Sequence, residues 1–321
     1  MKKDLLYDTI LNAIREKIPN RIILANTLAE LLNIEKEAVY RRLRGEVAFS
    51  FVEIAAISSS LGISLDNIVG ARYINSRPFQ LKLVEYIDPV DIDYRMLEHY
   101  IYILNLGKDD PNSKVMDCTS ILPQSLYLNY KTIARFFLFK WMYQCKDFDV
   151  VLRFKDIRPT ERLLKIQERS AASSQLIRQT YYVWDPLIFN YLANDLNYFL
   201  SINLLEPEEM LLLKDELLLF LDDMEILAAQ GKYSETGNSI FFYISNINFD
   251  TSYRCVEVKQ FRISLIRAFT LNAAVSLDKK TYERINNWIQ AVLRSSTMIS
   301  VSGAKQRIQF FEEQRVIINT L

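Results

Sequence analysis

The sequence predicts two unlike parts: a mainly α N-terminal domain of five helices, and a larger α+β region that is helix-rich with short antiparallel strands. Three observations predict this. Residues 24–69 carry apolar residues at helical spacing, punctuated by Asn33, Gly45 and Gly62. From residue 79 onward, short runs rich in β-branched and aromatic residues alternate with longer amphipathic stretches. Four aromatics fall in residues 1–70 and 35 in the remaining 251, so the second part holds the material for a large core. A chain of 321 residues, half of them hydrophobic, is long enough for two or three domains.

Residues 4–17 read as a first amphipathic helix, with Leu5, Leu6, Ile10, Leu11 and Ile14 on one side. In the next helix Leu24, Leu28 and Leu32 recur every four residues, and Ala29 is small enough to let a neighbour approach. Asn33 is among the few non-glycines that tolerate a left-handed backbone, and Ile34 can plug the corner. The following helix runs from about Glu35 to Arg44. Val39 and Leu43 give it an inward face; Lys36, Glu37, Tyr40, Arg41 and Arg44 stand outward. Gly45 sits where a helix end wants positive φ. Ser50 can cap SFVEIAAISSSL, whose Phe51, Ile54, Ile57 and Leu61 line one side, and Gly62 ends it. A short turn over 64–68 closes the unit. Two short helices around a tight turn, followed by a third, are the frame of a helix-turn-helix DNA-binding unit.

The domain boundaries follow: 1–70 for this unit, ARYINSRP (71–78) as a short linker, and 79–321 for the α+β region, with a possible subdivision near 232. In that region Phe79, Leu81 and Leu83 alternate with polar residues as in a strand. A helix opens near Pro89 and Asp91, GKDDPNSK is a turn, and VMDCTSIL is a candidate strand. Pro123 begins an aromatic helix through about Tyr143. DVVLRF (149–154) reads as a strand, RPTERLLKIQERSA as a helix and LIRQTYYVW as a strand. Pro186 starts a helix through about Phe199. The clearest element is EEMLLLKDELLLFLDDMEILAAQ, stopped by Gly231. Its seam of Met210, Leu213, Leu217, Phe220, Met224 and Leu227 resembles a coiled coil. Leu211, Leu212, Leu218, Leu219 and Leu221 widen it, which favours a buried core helix with dimer contact as a second use. SIFFYISNI and SYRCVEV read as strands joined around Phe249-Asp250, with ISLIRAFTLNAAV as a third. A helix, a short strand or turn at STMISVS, and a final helix complete the chain.

Residues 5–70 resemble a Cro/C1-type (phage-repressor-like) helix-turn-helix domain. The resemblance rests on Leu28-Ala29, Asn33-Ile34, Val39, the Arg44-Gly45 exit and LGISLDNI (61–68). RRLRG, FKWMYQ and the C-terminal STMIS…FF segment further resemble bacterial regulators with a long, uncharacterised C-terminal region. The resemblance implies a transcriptional regulator that docks the helix at 35–44 in the major groove. Lys36, Arg41 and Arg44 would then contact bases or phosphates, Tyr40 a base edge or the backbone, and Asn26 and Thr27 phosphates. Glu37 would accept from cytosine N4 or turn aside to Arg41. It also implies a homodimer on double-stranded DNA. The C-terminal region would dimerise, sense a small-molecule or protein effector, or both. The sequence departs from the family pattern at Ala25, where Gln is usual, at Glu35, where a small polar cap is usual, and at Arg42, where an apolar residue is usual. Ala25, Glu35 and the acidic Glu37, which stands where a base contact is expected, carry the alternative: a protein-interaction module whose helix-turn-helix domain no longer reads DNA.

Charge gives no basic footprint: Lys+Arg and Asp+Glu are 39 each overall, and nine each in residues 1–70. The positive charge is local, with Lys36, Arg41, Arg42 and Arg44 against Glu37 in residues 36–44. Cys118, Cys145 and Cys255 form no CxxC pair, which suits a reducing cytoplasm and argues against a disulfide or zinc framework. The longest apolar stretch is broken by Lys131, Arg135 and Lys140, so no membrane partner is expected. The one histidine, His99, and the lack of nucleophile-elbow, HExxH or phosphate-loop motifs argue against an enzyme, and no cofactor or metal is expected. The aromatic-rich region fills a core; a pocket around Trp141, Trp184 or Trp288 is the sharper expectation beside it.

Overall fold

The helices of the first 65 residues form where caps and turn residues permit. A computed structural model of the chain describes residues 5–65, 68, 79–145 and 152–321. The expected linker at 71–78, the centre of the turn at 64–68 and residues 149–151 of an expected strand lie outside the described residues. Among the described residues, four of the five expected helices open the chain: α1 (Leu5–Lys17), α2 (Arg21–Leu32), α3 (Lys36–Leu43) and α4 (Phe51–Leu61). Ile10, Leu11 and Ile14 of α1 meet Leu24, Ala25 and Leu28 of α2, Val39 and Leu43 of α3, and Ile57 and Leu61 of α4 in one core. Phe51 departs from expectation. It is 78% exposed, because as the first residue of α4 it lies a turn before the packed face begins.

The rest of the chain is built on one mixed sheet of eight strands: β1 (Gln80–Lys82), β2 (Lys114–Thr119), β3 (Gln179–Trp184), β4 (Ser239–Ile244), β5 (Tyr253–Val258), β6 (Phe261–Ala268), β7 (Asn272–Ser276) and β8 (Thr297–Met298). Their order is β1-β7-β6-β5-β2-β3-β4-β8. The helices are α5 (Asp91–Asn105), α6 (Gln124–Tyr127), α7 (Lys131–Cys145), α8 (Glu161–Ser174), α9 (Ile188–Ser201), α10 (Pro207–Gln230), α11 (Lys279–Arg294) and α12 (Ala304–Asn319).

The expectation of antiparallel strands holds for five of the seven pairings in this sheet. β5, β6 and β7 form an antiparallel meander, but β2, β3 and β4 are parallel neighbours. The helices that lie between them in sequence make them so, since a strand followed by a long crossover returns in the same direction. β4 and β5, joined around Phe249-Asp250, are therefore not paired; β2 and β3 separate them. The single strand expected over 263–275 is a hairpin that turns at Phe269, whose φ is 57°. The expected helix from Pro123 is interrupted at residues 128–130, and Phe154–Asp156 is a 3-10 turn rather than a strand.

Tyr182, Trp184, Ile240 and Phe242 on one sheet face meet the apolar sides of α7, α9, α10 and α12. The same face of β2, β5, β6 and β7 meets Ile103 and Leu104 of α5. The opposite face presents Met116, Cys118, Val183 and Cys255 to Tyr282 and Ile289 of α11. Burial pushes the Cys255 thiol up to about 12 and the Cys118 thiol up as well. In α10 the expected seam is inward at Met210, Leu213, Leu217, Phe220 and Met224, while Leu211, Leu212 and Leu219 are exposed.

The first four helices touch the sheet at the β5–β6 turn. Lys17 Nζ donates to Gln260 O at 3.1 Å, and Gln260 Nε2 donates to Ser60 O at 3.2 Å. Gly62 has φ +63° and faces the Phe261 ring, where a Cβ would come within 3.0 Å. Burial, with Arg262 and Lys279 nearby, lowers the Lys17 amine to about 8.

Asp117 and Arg254 stand opposite each other on β2 and β5 and form a buried ion pair. Asp117→Asn leaves the guanidinium buried without a carboxylate, so urea unfolding should show a loss of about 3–5 kcal/mol. A double change, Asp117→Leu with Arg254→Met, should recover most of it.

Candidate nucleic-acid interface

α2 is started by Asn20, whose side chain accepts from the Ile22 and Ile23 amides at 3.0 and 3.1 Å. It stops at Asn33, in the left-handed region at φ 51° and ψ 49°. The Ile34 amide then bonds back to Ala29 O at 3.1 Å, which turns the chain sharply into α3. Ala29 and Ile34 both pack against the core, as their sizes predict. Glu35 occupies the N-cap of α3 with extended backbone and makes no side-chain bond to the helix. α3 ends with Gly45 at φ 77°, the Gly45 amide bonding Arg42 O and the Glu46 amide bonding Arg41 O. Arg15 of α1 donates to Leu43 O and so closes one free carbonyl of that end.

With Val39 and Leu43 turned inward, the outer row of α3 is Lys36, Glu37, Tyr40 and Arg41, continued by Arg44. All are exposed except Tyr40, which is half-buried. Arg21, at the start of α2, holds its guanidinium 5.7 Å from the Tyr40 ring centre. Asn26 and Thr27 of α2 are half-buried, and the Thr27 hydroxyl donates to Ile23 O at 3.0 Å. The N-terminus of α4 lies against α3 as well. Arg42 Nη2 is 3.1 Å from Glu53 Oε1, and its guanidinium lies 6.0 Å from the Phe49 ring centre. Ser50 and Glu53 complete a capping box, at 3.2 Å from the Glu53 amide and 2.7 Å from the Ser50 amide.

Sequence reasoning does not single out Glu46, although it sits beside the row. Arg44 donates to Glu46 at 2.6 and 3.2 Å and to Glu37 at 3.3 Å; Arg41 Nε is 3.7 Å from Glu46. Glu37 therefore turns aside to Arg44 and not to Arg41. The hydrogen bond from Arg44 holds the Glu46 carboxyl below its usual range, and Glu46, then Glu37, raises Arg44. The signal for Glu46 in the sequence is its place two residues after Arg44, across Gly45. Arg42, the fourth basic residue of this stretch, is spent on joining α3 to α4.

The indoles do not line a common pocket. Trp141 and Trp184 are buried in the helical core, and Trp288 packs on Tyr253 and Phe249 at the far sheet face. Among the described residues, no group of three or more His, Cys, Asp or Glu could hold a metal ion, and no helix is long and apolar enough to cross a membrane. Compared with known proteins, the chain matches no family model, no curated protein and no solved structure.

The turn that aims α3 depends on a left-handed residue. Asn33→Ala should lower stability by about 1 kcal/mol in chemical denaturation, while Asn33→Gly should be near neutral.

Proposed function

We propose that this chain is a sequence-specific DNA-binding transcriptional regulator. α3 would enter the major groove of double-stranded DNA, and the remainder would serve oligomerisation and effector sensing. One observation carries the reading: a short helix, fixed from behind by Val39 and Leu43 and aimed by a left-handed turn, exposes Lys36, Arg41 and Arg44 on its outer side beside the half-buried Tyr40. This is what base readout requires, a rigid helix with long hydrogen-bonding side chains on the free face. The N-termini of α2 and α4 flank α3, and helix N-termini favour phosphate. Asn26 and Thr27 are assigned to phosphate contacts.

A single module of this size buries little DNA, so two on a symmetric operator are assigned, with half-sites about one helical turn apart. Leu212, Leu219 and Ile226 of α10 support a homodimer: they are exposed and seven residues apart.

A second reading is a protein-interaction module. Ile22 and Ile23 at the start of α2, and Phe51 and Val52 at the start of α4, are exposed beside α3, and Glu46 and Glu37 neutralise its arginines. Selection of duplexes from a random pool separates the two. The regulator enriches an inverted repeat; the interaction module enriches nothing, even at low salt.

Arg41→Ala with Arg44→Ala should weaken binding to the selected duplex by about tenfold or more. It should also flatten the dependence of log K on log salt by roughly one for each phosphate no longer neutralised. Equal binding by wild type and variant in a fluorescence-anisotropy titration would rule out α3 as the reader. Glu46→Gln frees Arg41 and leaves Arg44 only its contact with Glu37, and should tighten binding, by up to about fivefold at low salt.

A further inference from the structure

Between α5 and the sheet lies a cavity of about 450 Å³, the volume of a small-metabolite site. Met96, Leu97 and Ile103 of α5 and Ile263, Leu265 and Val275 of the meander make its walls apolar. Its charges are one-sided. Lys82, Arg254 and Arg267 line it against a single carboxylate, Asp117. Asp117 is spent on Arg254, whose Nη1 also donates to Tyr100 OH at 3.4 Å. Arg267 and Lys82 have no carboxylate within ion-pair distance among the described residues.

Arg267 is the telling residue. It is enclosed by protein, yet it keeps accessible surface because that surface faces the cavity. Nη1 donates to Thr270 O at 2.9 Å, while the buried Nε–H has no partner. A desolvated cation without a carboxylate partner is costly unless an anion completes it from the cavity side. Burial accordingly lowers the proton affinity of Arg267 and of the Lys82 amine. His99, at the exposed rim, is also pushed down, by burial and then by Lys82.

We propose that this cavity binds a small amphiphilic anion: a carboxylate or phosphate monoester on an apolar body, the head on Arg267 and Lys82 and the body between α5 and β6. The apolar walls exclude a bare inorganic ion as the sole occupant, and two cations without a carboxylate partner exclude a neutral one as the best fit. Ser59 of α4 also lines the cavity, so an occupant touches the first four helices as well as the sheet. Any effect on DNA affinity rests on the reading above; the binding itself does not.

Calorimetric titration of the full chain with octanoate, octyl phosphate and octanamide tests this without DNA. One or both anions should bind about tenfold to a hundredfold more tightly than the amide. Preference for octanoate names a carboxylic acid, and preference for octyl phosphate a phosphate monoester. Arg267→Met should abolish the preference for anions. Ala273→Phe keeps every charge and fills the cavity, so it should abolish all three isotherms even if Arg267→Met fails to fold. Equal binding of amide and anions, anion binding unchanged in Ala273→Phe, or no binding of any probe at millimolar concentration would each overturn the proposal.

Discussion

The ion pair between Asp117 and Arg254 is the constraint around which the larger unit is arranged. It sits where the antiparallel meander meets the parallel strands, because β2 pairs with β5 on one side and β3 on the other. Neither charge could be buried alone. Together they fix the register of β2 against β5, and through the Tyr100 hydroxyl they reach α5. The pair is also part of the lining of the cavity between α5 and the sheet. A hydrophobic pair of similar volume would serve stability as well; the ionic pair additionally rejects shifted pairings, which would leave a charge stranded.

The outer row of α3 presents a different balance. Its arginines are held by Glu46 and Glu37 at the surface, where such pairs are weak and exchange readily with solvent. A DNA phosphate or a guanine edge can replace these carboxylates at small cost. On the proposed reading, the same carboxylates would lower the attraction for arbitrary DNA of a unit whose residues 1–70 carry nine charges of each sign. At the junction with the sheet, Lys17 is half-buried near Arg262 and Lys279 and donates to the Gln260 carbonyl. Such a junction costs charge desolvation and is sensitive to small displacements of the β5–β6 turn, which adjoins the cavity through Phe261.

The local features of the first unit are legible in the sequence because each is settled by a few neighbours in the chain. Asn33, Gly45 and Gly62 take the left-handed conformations their chemistry allows, and Ser50 with Glu53 forms the cap that their spacing announces. Val39 and Leu43 face in, leaving Lys36 and Arg41 outside. What escapes are pairings across a turn or between helices: Glu46 on Arg44, Arg42 on Glu53, Arg21 on Tyr40. Phe51 departs from its expected burial for a related reason, since spacing gives the stripe of a helix but not where its partners end.

By itself, then, the sequence determined where the helices of the first unit begin and stop, which faces are apolar and that the later region mixes helices with strands. Those properties depend on backbone preference and on periodicity, both local. The tertiary structure decided strand order and direction, the separation of β4 from β5, and the place of the cavity. SIFFYI and SYRCVEV carry no mark of the partners they choose, because pairing is selected by crossovers and by burial against distant helices. The cavity brings Lys82 of β1 together with Arg254 and Arg267 of the consecutive strands β5 and β6, far along the chain. It exists only because the sheet folds them onto one face.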